Sequence, residues 1–259
     1  MSKLFDLTGK VAIVTGSSRG IGRAIAEALA DAGARVAVSS RTQADCDEAA
    51  DAINARHGAG TAIAIAANIS EKPNLENLVG RTQEQLGPVD ILVCNAATSP
   101  YYGPTLEITD EQYHKILNNN VLSNQWLVQM VAPGMVERGA GSIILVASLG
   151  AYIGSDMIGT YHLSKAALVQ MTRNLAVELG PKGVRVNAIS PGITRTHFAR
   201  RLWDDPNGEK TVIGRTPLRR IGEPGEMAGA AVFLAAEASA FLTGQSIIID
   251  GGMSIGPAR

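Results

Sequence analysis

Two side chains with complementary acid–base chemistry stand four residues apart in TYHLSKAAL, residues 160–168, a segment typical of a helix. In a helix, Tyr161 and Lys165 would project from the same face, one turn apart. A free phenol has a pKa of about 10, too high for efficient proton exchange at neutral pH, and a nearby ammonium favours its ionised form. The pair could therefore donate a proton, but a half-buried tyrosine beside a solvated lysine would produce the same pattern.

The composition restricts the classes of protein to which the chain could belong. Its 259 residues are 46% hydrophobic and 18% charged, which allows a large core and is too apolar for disorder. The net charge of −1, without a long basic run, argues against a nucleic-acid partner. Cys46 and Cys94 form no metal or redox spacing, so we expect no metal site and a reducing compartment. The sequence contains no apolar run long enough to predict a membrane span.

Short β-branched runs alternate with longer alanine-rich segments of helical period, which is typical of βαβ units around a parallel sheet. The predicted strands are 11–15, 35–39, 61–66, 90–94, 142–148, 184–190 and 245–250, and the predicted helices are 21–33, 43–57, 72–86, 110–138, 159–180 and 224–236. The strands are almost continuously apolar, which indicates that helices cover both faces of the sheet. We therefore expect a doubly wound α/β fold of Rossmann type, with a seven-stranded parallel sheet, formed by residues 1–259 as one domain.

Unusual residues lie at or just beyond the carboxyl ends of six predicted strands. They are Gly16, Ser40, Asn68, Asn95, Ser148 and Pro191. In open α/β sheets, ligands bind outside these ends, in the crevice where the strand order reverses. We therefore expect these residues to border one ligand site.

A glycine-rich loop, TGSSRGIG at residues 15–22, joins the first predicted strand to the first predicted helix. Its glycines, Gly16, Gly20 and Gly22, would allow a tight turn and a close approach of the backbone to a pyrophosphate. The helix N-terminus adds free N–H groups. A plain turn would also contain glycines, but a strand before the loop and a helix after it are what a dinucleotide motif requires. The loop is predicted to bind a dinucleotide.

The ordered set of motifs resembles that of the short-chain dehydrogenase/reductase family. The loop at 15–22 matches the family's T-G-x-x-x-G-x-G pattern, Tyr161-x-x-x-Lys165 matches its active-site motif, and residues 191–196 match its P-G-x-x-x-T segment. The similarity extends over about residues 9–252, nearly the whole chain. The resemblance implies an oxidoreductase that transfers hydride between a carbonyl compound and a nicotinamide cofactor.

The resemblance also implies a catalytic tetrad of Asn120, Ser148, Tyr161 and Lys165. Ser148 lies thirteen residues before the tyrosine, the family's usual interval, and would polarise the substrate oxygen, although it could instead only cap the end of a strand. Lys165 would also hold the nicotinamide ribose, and Asn120 would anchor a water that links the lysine to solvent. The neighbouring Asn118 and Asn119 remain alternatives, but the sequence that follows Asn120 aligns with the family pattern.

Two departures from the family pattern concern the cofactor site. The family's N-N-A-G segment is Cys94-Asn95-Ala96-Ala97 here, so the first asparagine and the glycine are replaced. Asn95 can still line the cofactor, whereas the methyl group of Ala97 could shift the nearby substrate loop. Where the family commonly has an aspartate at the adenine pocket, this chain has Asn68, whose amide oxygen can accept from the adenine amino group. We expect neither change to abolish catalysis.

The residues after the second strand indicate which nicotinamide cofactor is preferred. An enzyme that prefers NAD(H) would have an aspartate there, which binds the adenine-ribose 2′-hydroxyl and repels a 2′-phosphate. This chain has Ser40 followed by Arg41, and Arg19 of the glycine-rich loop would face the same point, which suits a phosphate. We expect a preference for NADP(H), while NAD(H) stays possible if both arginines extend into solvent. The cofactor contacts implied by the family are Gly16, Ser18, Arg19, Gly20, Ile21, Gly22, Ser40, Arg41, Asn68, Ile69, Asn95, Ala96, Tyr161, Lys165, Pro191, Gly192, Ile193 and Thr196.

Further sequence blocks narrow the resemblance within the family. VSSRT, NAAT, TRTHFARRLW and RRIGEPGEMAG are similar to the peroxisomal carbonyl reductases of the dehydrogenase/reductase group and their bacterial relatives. This implies an NADPH-dependent reductase of ketones or dicarbonyls. Reduction of a 3-oxoacyl thioester on an acyl carrier protein and NAD-dependent oxidation of a secondary alcohol remain alternatives. A nucleotide sensor or scaffold is a further alternative, although such proteins usually lose the tyrosine, lysine or serine.

Three segments would border the substrate. They are residues 98–103, 149–157 and 197–203. Their apolar and aromatic residues suit a bulky neutral carbonyl compound, and they are Tyr101, Tyr102, Tyr152, Ile153, Met157, Phe198, Leu202 and Trp203. Arg200 and Arg201 could instead indicate an anionic substrate, or they could be solvated helix charges.

Two histidines near these segments differ in their predicted roles. His197 lies near the start of a lid that the family resemblance places at about residues 196–222, and it could contact substrate. His162 follows Tyr161 but would point away from the face that Tyr161 and Lys165 share. We therefore expect His162 to pack in the protein or to lie at an interface.

Assembly and location follow from the resemblance and from the chain ends. By resemblance, the helices at 110–138 and 159–180 pack between subunits and the strand QSIIID supports a second interface, so we expect a homotetramer. The N-terminal MSKLFDLTGK leaves no room for a signal peptide, and the final PAR does not match a peroxisomal address. We expect a cytoplasmic enzyme whose partners are small carbonyl or alcohol substrates, without nucleic acid or membrane.

Overall fold

One parallel sheet organises the part of the chain that the structure, a computed structural model, describes, residues 3–256. Its seven strands are β1 (Val11–Thr15), β2 (Arg35–Ser39), β3 (Ala62–Ala64), β4 (Ile91–Cys94), β5 (Gly141–Val146), β6 (Val184–Pro191) and β7 (Ser246–Ile249). Their order across the sheet is β3-β2-β1-β4-β5-β6-β7, so the winding reverses between β1 and β4. This confirms the predicted doubly wound sheet. The C-terminal PAR segment, one reason for expecting a cytoplasmic location, lies outside the described residues.

The α-helices of residues 3–256 cover this sheet. They are α1 (Gly20–Asp31), α2 (Gln43–His57), α3 (Lys72–Leu86), α4 (Asp110–Leu117), α5 (Ser123–Arg138), α6 (Gly159–Leu179), α7 (Pro206–Arg215) and α8 (Pro224–Ala235). The single helix predicted over 110–138 is divided by a π-helical turn at Asn118–Leu122, and α7 lies in a segment for which no helix was predicted. None of these helices is long and apolar enough to cross a membrane.

The edge strand β3 is shorter than the predicted 61–66, and side chains of α2 occupy its outer hydrogen-bonding groups. Asn54 donates to the Ala62 carbonyl and accepts from the Ala62 amide, both at 2.9 Å. Gln43 donates to the Ala64 carbonyl at 3.1 Å and accepts from the Ala66 amide at 2.9 Å. The exposed side of the strand is thereby closed to pairing with another chain.

Alternate residues of each strand pack on opposite faces of the sheet. In β1, Ile13 joins a buried cluster with residues of α3, α5 and α6, whereas Ala12 and Val14 join a cluster with residues of α1, α2 and α8. Helices on both faces therefore hold the strands rigidly. The carboxyl ends of the strands, where the predicted site residues lie, become a fixed platform.

Candidate active site

Helix α6 places the predicted acid–base pair against the carboxyl end of β5. Lys165 is only 2% exposed, and its Nζ donates a hydrogen bond to the Val146 carbonyl at 2.7 Å. The same Nζ lies 5.6 Å from the centre of the Tyr161 ring. The lysine is therefore not a solvated surface residue, and the pair is held together inside the protein.

Ser148 meets the phenol from the segment that follows β5. Its side chain lies beside that of Tyr161, and its polar contact lowers the pKa of the phenol. Its Oγ also accepts a hydrogen bond from the Gly150 amide at 3.0 Å, which caps the 3₁₀ turn at Leu149–Ala151. The sequence left a choice between a capping role for Ser148 and a contact with the phenol. In the structure, Ser148 has both.

The π-helical turn between α4 and α5 directs Asn120 into the interior. Asn120 Oδ1 accepts from the Thr98 amide at 2.8 Å, and Nδ2 donates to the Thr98 carbonyl and to Ser164 Oγ, both at 3.0 Å. Ser164 Oγ in turn donates to the Tyr161 carbonyl at 2.7 Å. Such turns are frequent at functional sites. Asn120 thus ties the loop after β4 to the helix that contains Tyr161.

Burial dominates the ionisation of the tyrosine and the lysine. It raises the pKa of Tyr161 to about 12, against a smaller opposite effect of the Ser148 contact. It lowers the pKa of Lys165 to about 7, so the amine and the ammonium are both present at neutral pH. The sequence predicted that Lys165 would lower the pKa of the phenol. In this structure the pKa of the phenol is raised instead, because desolvation by burial is the largest effect on it.

The segment Cys94–Ala97, which departs from the family pattern, supports the glycine-rich loop. Asn95 Nδ2 donates to the carbonyls of Thr15 and Gly16 at 2.9 and 3.1 Å, and the Asn95 amide donates to Thr15 Oγ1 at 3.1 Å. Burial raises the pKa of Cys94 to about 12, so it stays a neutral thiol. The asparagine that remains therefore holds the loop in position.

The glycine-rich loop forms an open cradle before α1. Gly16 and Gly20 have φ angles of +65° and +60°, in the left-handed region that favours glycine. A Cβ at Gly22 would lie 2.2 Å from the Gly16 carbonyl oxygen, which is too close. The first turn of α1 can therefore pack against the loop only because residue 22 is a glycine. A Cβ at Gly20 would lie 3.4 Å from Thr196 Cγ2, so the segment after β6 borders the cradle. With the free N–H groups of a helix N-terminus, this geometry fits a dinucleotide pyrophosphate.

The residues predicted to discriminate between cofactors lie at the end of β2 and in the loop. The Ser40 amide donates to Cys46 Sγ at 3.0 Å, and Ser40 Oγ lies 3.2 Å from the same sulfur. The serine therefore already has a partner within the protein. Arg19 and Arg41 are exposed, and neither pairs with a carboxylate within residues 3–256. The two guanidiniums remain available for an anion.

Asn68 is likewise engaged within its own loop. Its Oδ1 accepts hydrogen bonds from the Ser70 amide at 3.2 Å and from Ser70 Oγ at 2.7 Å. The oxygen that was predicted to meet the adenine amino group is therefore already bonded twice. The other predicted cofactor contacts follow or end strands at the same end of the sheet, and they are Ser18, Ile21, Ile69, Ala96, Pro191, Gly192 and Ile193.

The segment after β6 reaches over the phenol. The Phe198 ring lies 5.6 Å from the Tyr161 ring, centre to centre. His162, next to the tyrosine, turns the other way: its Nδ1 lies 2.9 Å from the Ile153 carbonyl, and a Cβ at Gly150 would be 2.3 Å from its ring. His162 thus packs on the segment after β5. Within residues 3–256, no group of three or more His, Cys, Asp or Glu side chains could hold a metal ion.

Known proteins match this chain over almost its whole length. Residues 16–254 match a family model described as enoyl-(acyl carrier protein) reductase. A Bos taurus protein named dehydrogenase/reductase SDR family member 4 is 40% identical over 253 residues, which cover 97% of this chain and 90% of the bovine protein. The chain belongs to the short-chain dehydrogenase/reductase family.

Solved structures of similar proteins extend the match to three dimensions. A gluconate 5-dehydrogenase from Burkholderia cenocepacia J2315, in complex with NADP and tartrate, is 29% identical with a TM-score of 0.93, covering 98% of this chain and 99% of the other. A 7α-hydroxysteroid dehydrogenase, complexed with NADH and 7-oxo glycochenodeoxycholic acid, is 34% identical with a TM-score of 0.92, covering 100% and 98%. The short-chain dehydrogenase/reductase fold therefore accounts for the whole architecture.

In this short-chain dehydrogenase/reductase, sequence reasoning missed several residues that support the site. Ser164 joins Asn120 to α6, and its position three residues after Tyr161 was a usable signal because the two share a helix face. Thr15 accepts the amide of Asn95. Cys46 binds Ser40 across a loop, and no local pattern indicates that contact.

Proposed function

We propose that this chain is a carbonyl reductase, working as one dinucleotide-binding and catalytic domain. It reduces a ketone or dicarbonyl compound with hydride from a nicotinamide cofactor, or catalyses the reverse oxidation. The observation that supports this best is the grouping of three side chains: Ser148 lies beside the phenol of Tyr161, and Lys165 Nζ lies 5.6 Å from the centre of the phenol ring. The pair lies at the same end of the sheet as the glycine cradle, as carbonyl reduction requires.

The chain's own residues would handle the proton and the developing charge. A nicotinamide cofactor, when bound, supplies the hydride. Tyr161 donates its hydroxyl proton to the carbonyl oxygen, while Ser148 Oγ donates a hydrogen bond to the same oxygen as negative charge develops there. Because the pKa of Lys165 is about 7, its ammonium can return a proton to the phenolate at neutral pH. Asn120 holds the predicted substrate loop, residues 98–103, in a fixed position relative to α6.

The names of similar proteins support this class of reaction. The bovine relative is a dehydrogenase/reductase, and the two structural neighbours are dehydrogenases in complex with NADP and with NADH. A nicotinamide cofactor fits the cradle at residues 15–22. One neighbour binds NADP and the other NADH, so the preference between the two forms depends on this chain's own residues at the end of β2 and in the glycine-rich loop.

A screen of NADPH and NADH oxidation tests the proposal. The panel contains ketones, diketones, quinones and a 3-oxoacyl thioester on an acyl carrier protein. Turnover of free carbonyl compounds is the expected result. Turnover of the thioester alone would favour the acyl-carrier-protein reductase, an alternative that the description of the matching family model also favours. Cofactor binding without turnover across the panel would point to a sensor.

The exposed arginines favour NADPH over NADH. Arg41→Ala should cost roughly 1–3 kcal/mol in NADPH binding and little in NADH binding, because charge-assisted bonds to the 2′-phosphate are lost. Ser40→Asp should shift the preference toward NADH. Arg35→Ala, at the opposite end of β2, is the control for general charge loss. A higher kcat/KM with NADH in the unsubstituted protein would contradict this assignment.

Exposed apolar side chains support assembly as a homotetramer of two-fold symmetry. On α6, Val177 is 79% and Leu163 48% exposed, and near β7 Phe241 is fully exposed. Such residues gain by burial between copies of the chain. Light scattering at micromolar concentration should give about four times the 27.1 kDa of one chain. A monomer mass would rule the tetramer out.

A further inference from the structure

Three arginines of the segment after β6 differ in how their charges are compensated. Arg195 pairs with Glu209, and its Nε lies 3.4 Å from a Glu223 oxygen. Arg200 Nε lies 3.0 Å from Asp204 Oδ2. Arg201, in contrast, pairs with no carboxylate anywhere in residues 3–256.

Arg201 nevertheless has a fixed place. Its Cζ lies 5.8 Å from the centre of the Tyr102 ring, in the range of a cation–π contact. Tyr102 is 42% exposed, so ring and guanidinium face solvent together. A planar guanidinium held on an aromatic face keeps its N–H groups directed outward, and these match both oxygens of a carboxylate.

The two segments that this contact joins both border the catalytic phenol. Tyr102 belongs to the loop that Asn120 anchors at Thr98. Arg201 follows Phe198, whose ring lies on Tyr161, by three residues, so the two Cα atoms are at most about 11 Å apart. The unpaired charge therefore belongs to the segment that covers the phenol and contacts the loop that Asn120 anchors.

We propose that Arg201, positioned by Tyr102, binds the carboxylate of the substrate, and that the natural substrates are oxo acids or the corresponding hydroxy acids. This inference rests on the proposed carbonyl reductase activity. A carboxylate fits better than a phosphate monoester, because one guanidinium on one aromatic ring balances one negative charge and not nearly two. Of the two substrate classes that the sequence left open, the geometry favours the anionic one.

Matched pairs of substrates test the proposal. For 4-oxopentanoate, 5-oxohexanoate and their methyl esters, the unsubstituted protein should show a higher kcat/KM for the acids, with a preference that weakens as salt is added. Arg201→Met keeps the side-chain length and should lower the acid-to-ester ratio about tenfold. Arg200→Met is the control, because that charge is already paired with Asp204, and it should change the ratio less than about twofold.

Further variants keep the test decisive if Arg201→Met is poorly folded. Tyr102→Leu should lower the ratio in the same direction, whereas Tyr102→Phe, which keeps the ring, should not. Butyrate should inhibit the unsubstituted protein more strongly than butyramide does. In the variants with a lower acid-to-ester ratio, this difference between the two inhibitors should become smaller. Two results would overturn the inference, provided that esters and ketones still turn over. One is an acid-to-ester ratio that is the same in Arg201→Met and in the unsubstituted protein. The other is a ratio that falls as much in Arg200→Met as in Arg201→Met. Failure of every carbonyl compound would instead overturn the reductase activity itself.

Discussion

Replacing Tyr161 by phenylalanine should lower kcat by a factor on the order of 10² or more and leave cofactor binding nearly unchanged. The hydroxyl is the only group lost, so the proton donor disappears while the ring keeps its contact with Phe198. The loss should appear in kcat and in kcat/KM alike, because the proton transfer occurs only in the transition state. Steady-state kinetics and fluorescence titration of the cofactor measure the two quantities separately.

Tyr113→Phe provides the matched control for this variant. Tyr113 lies in α4, and its substitution removes an equivalent hydroxyl outside the proposed site. It should leave kcat unchanged. If Tyr161→Phe retained near-normal turnover, the phenol could not be the proton donor and the proposed chemistry would be wrong.

Replacing Lys165 by methionine should lower both turnover and cofactor affinity. It should also change how the free energy of unfolding depends on pH. In the folded chain, burial lowers the pKa of Lys165 to about 7, whereas an unfolded lysine titrates at about 10.4. Between these values the unfolded state binds more protons, so the free energy of unfolding rises with pH. Below about pH 7 both states are protonated, and the full cost of burying the ammonium is present.

The contribution of Lys165 to this rise is on the order of 1 kcal/mol per pH unit. Urea denaturation without cofactor between about pH 7 and 9 measures it, below the range in which tyrosine begins to titrate. Lys165→Met should remove this part of the slope, while Lys182→Met, at an exposed lysine, should keep it. An unchanged slope in Lys165→Met would show that the lysine is not desolvated as the structure indicates.

The sheet and most helices could be predicted from sequence because their signals are local and repeated. Continuous apolar runs mark strands buried on both faces, and glycines and prolines mark the ends of elements. The edge strand β3 was predicted as well, but the side-chain hydrogen bonds by which Gln43 and Asn54 of α2 occupy its outer edge were not. No pattern within the strand itself indicates those contacts.

Parts of the site could not be predicted because they depend on contacts distant in the sequence. The π-helical turn that buries Asn120 looks like ordinary helix in the sequence, and its bonds reach 22 residues to Thr98 and 44 residues to Ser164. The raised pKa of Tyr161 depends on how deeply α6 packs, which spacing alone does not give. By contrast, α7 was missed although Asp205 and Pro206 form a recognisable helix start.

The substrate loop at residues 98–103 is fastened to the rest of the protein at both of its ends. Asn120 holds Thr98, and the Gly103 amide donates to the Met157 carbonyl at 2.7 Å. Neither anchor involves the side chains of Tyr101 or Tyr102, which lie between them. We therefore expect substitutions between the anchors to change which compounds the proposed reductase accepts and to leave its proposed proton-transfer residues in place. In evolutionary terms, we infer that such a loop would separate specificity from catalysis, so that new substrates could be acquired one residue at a time.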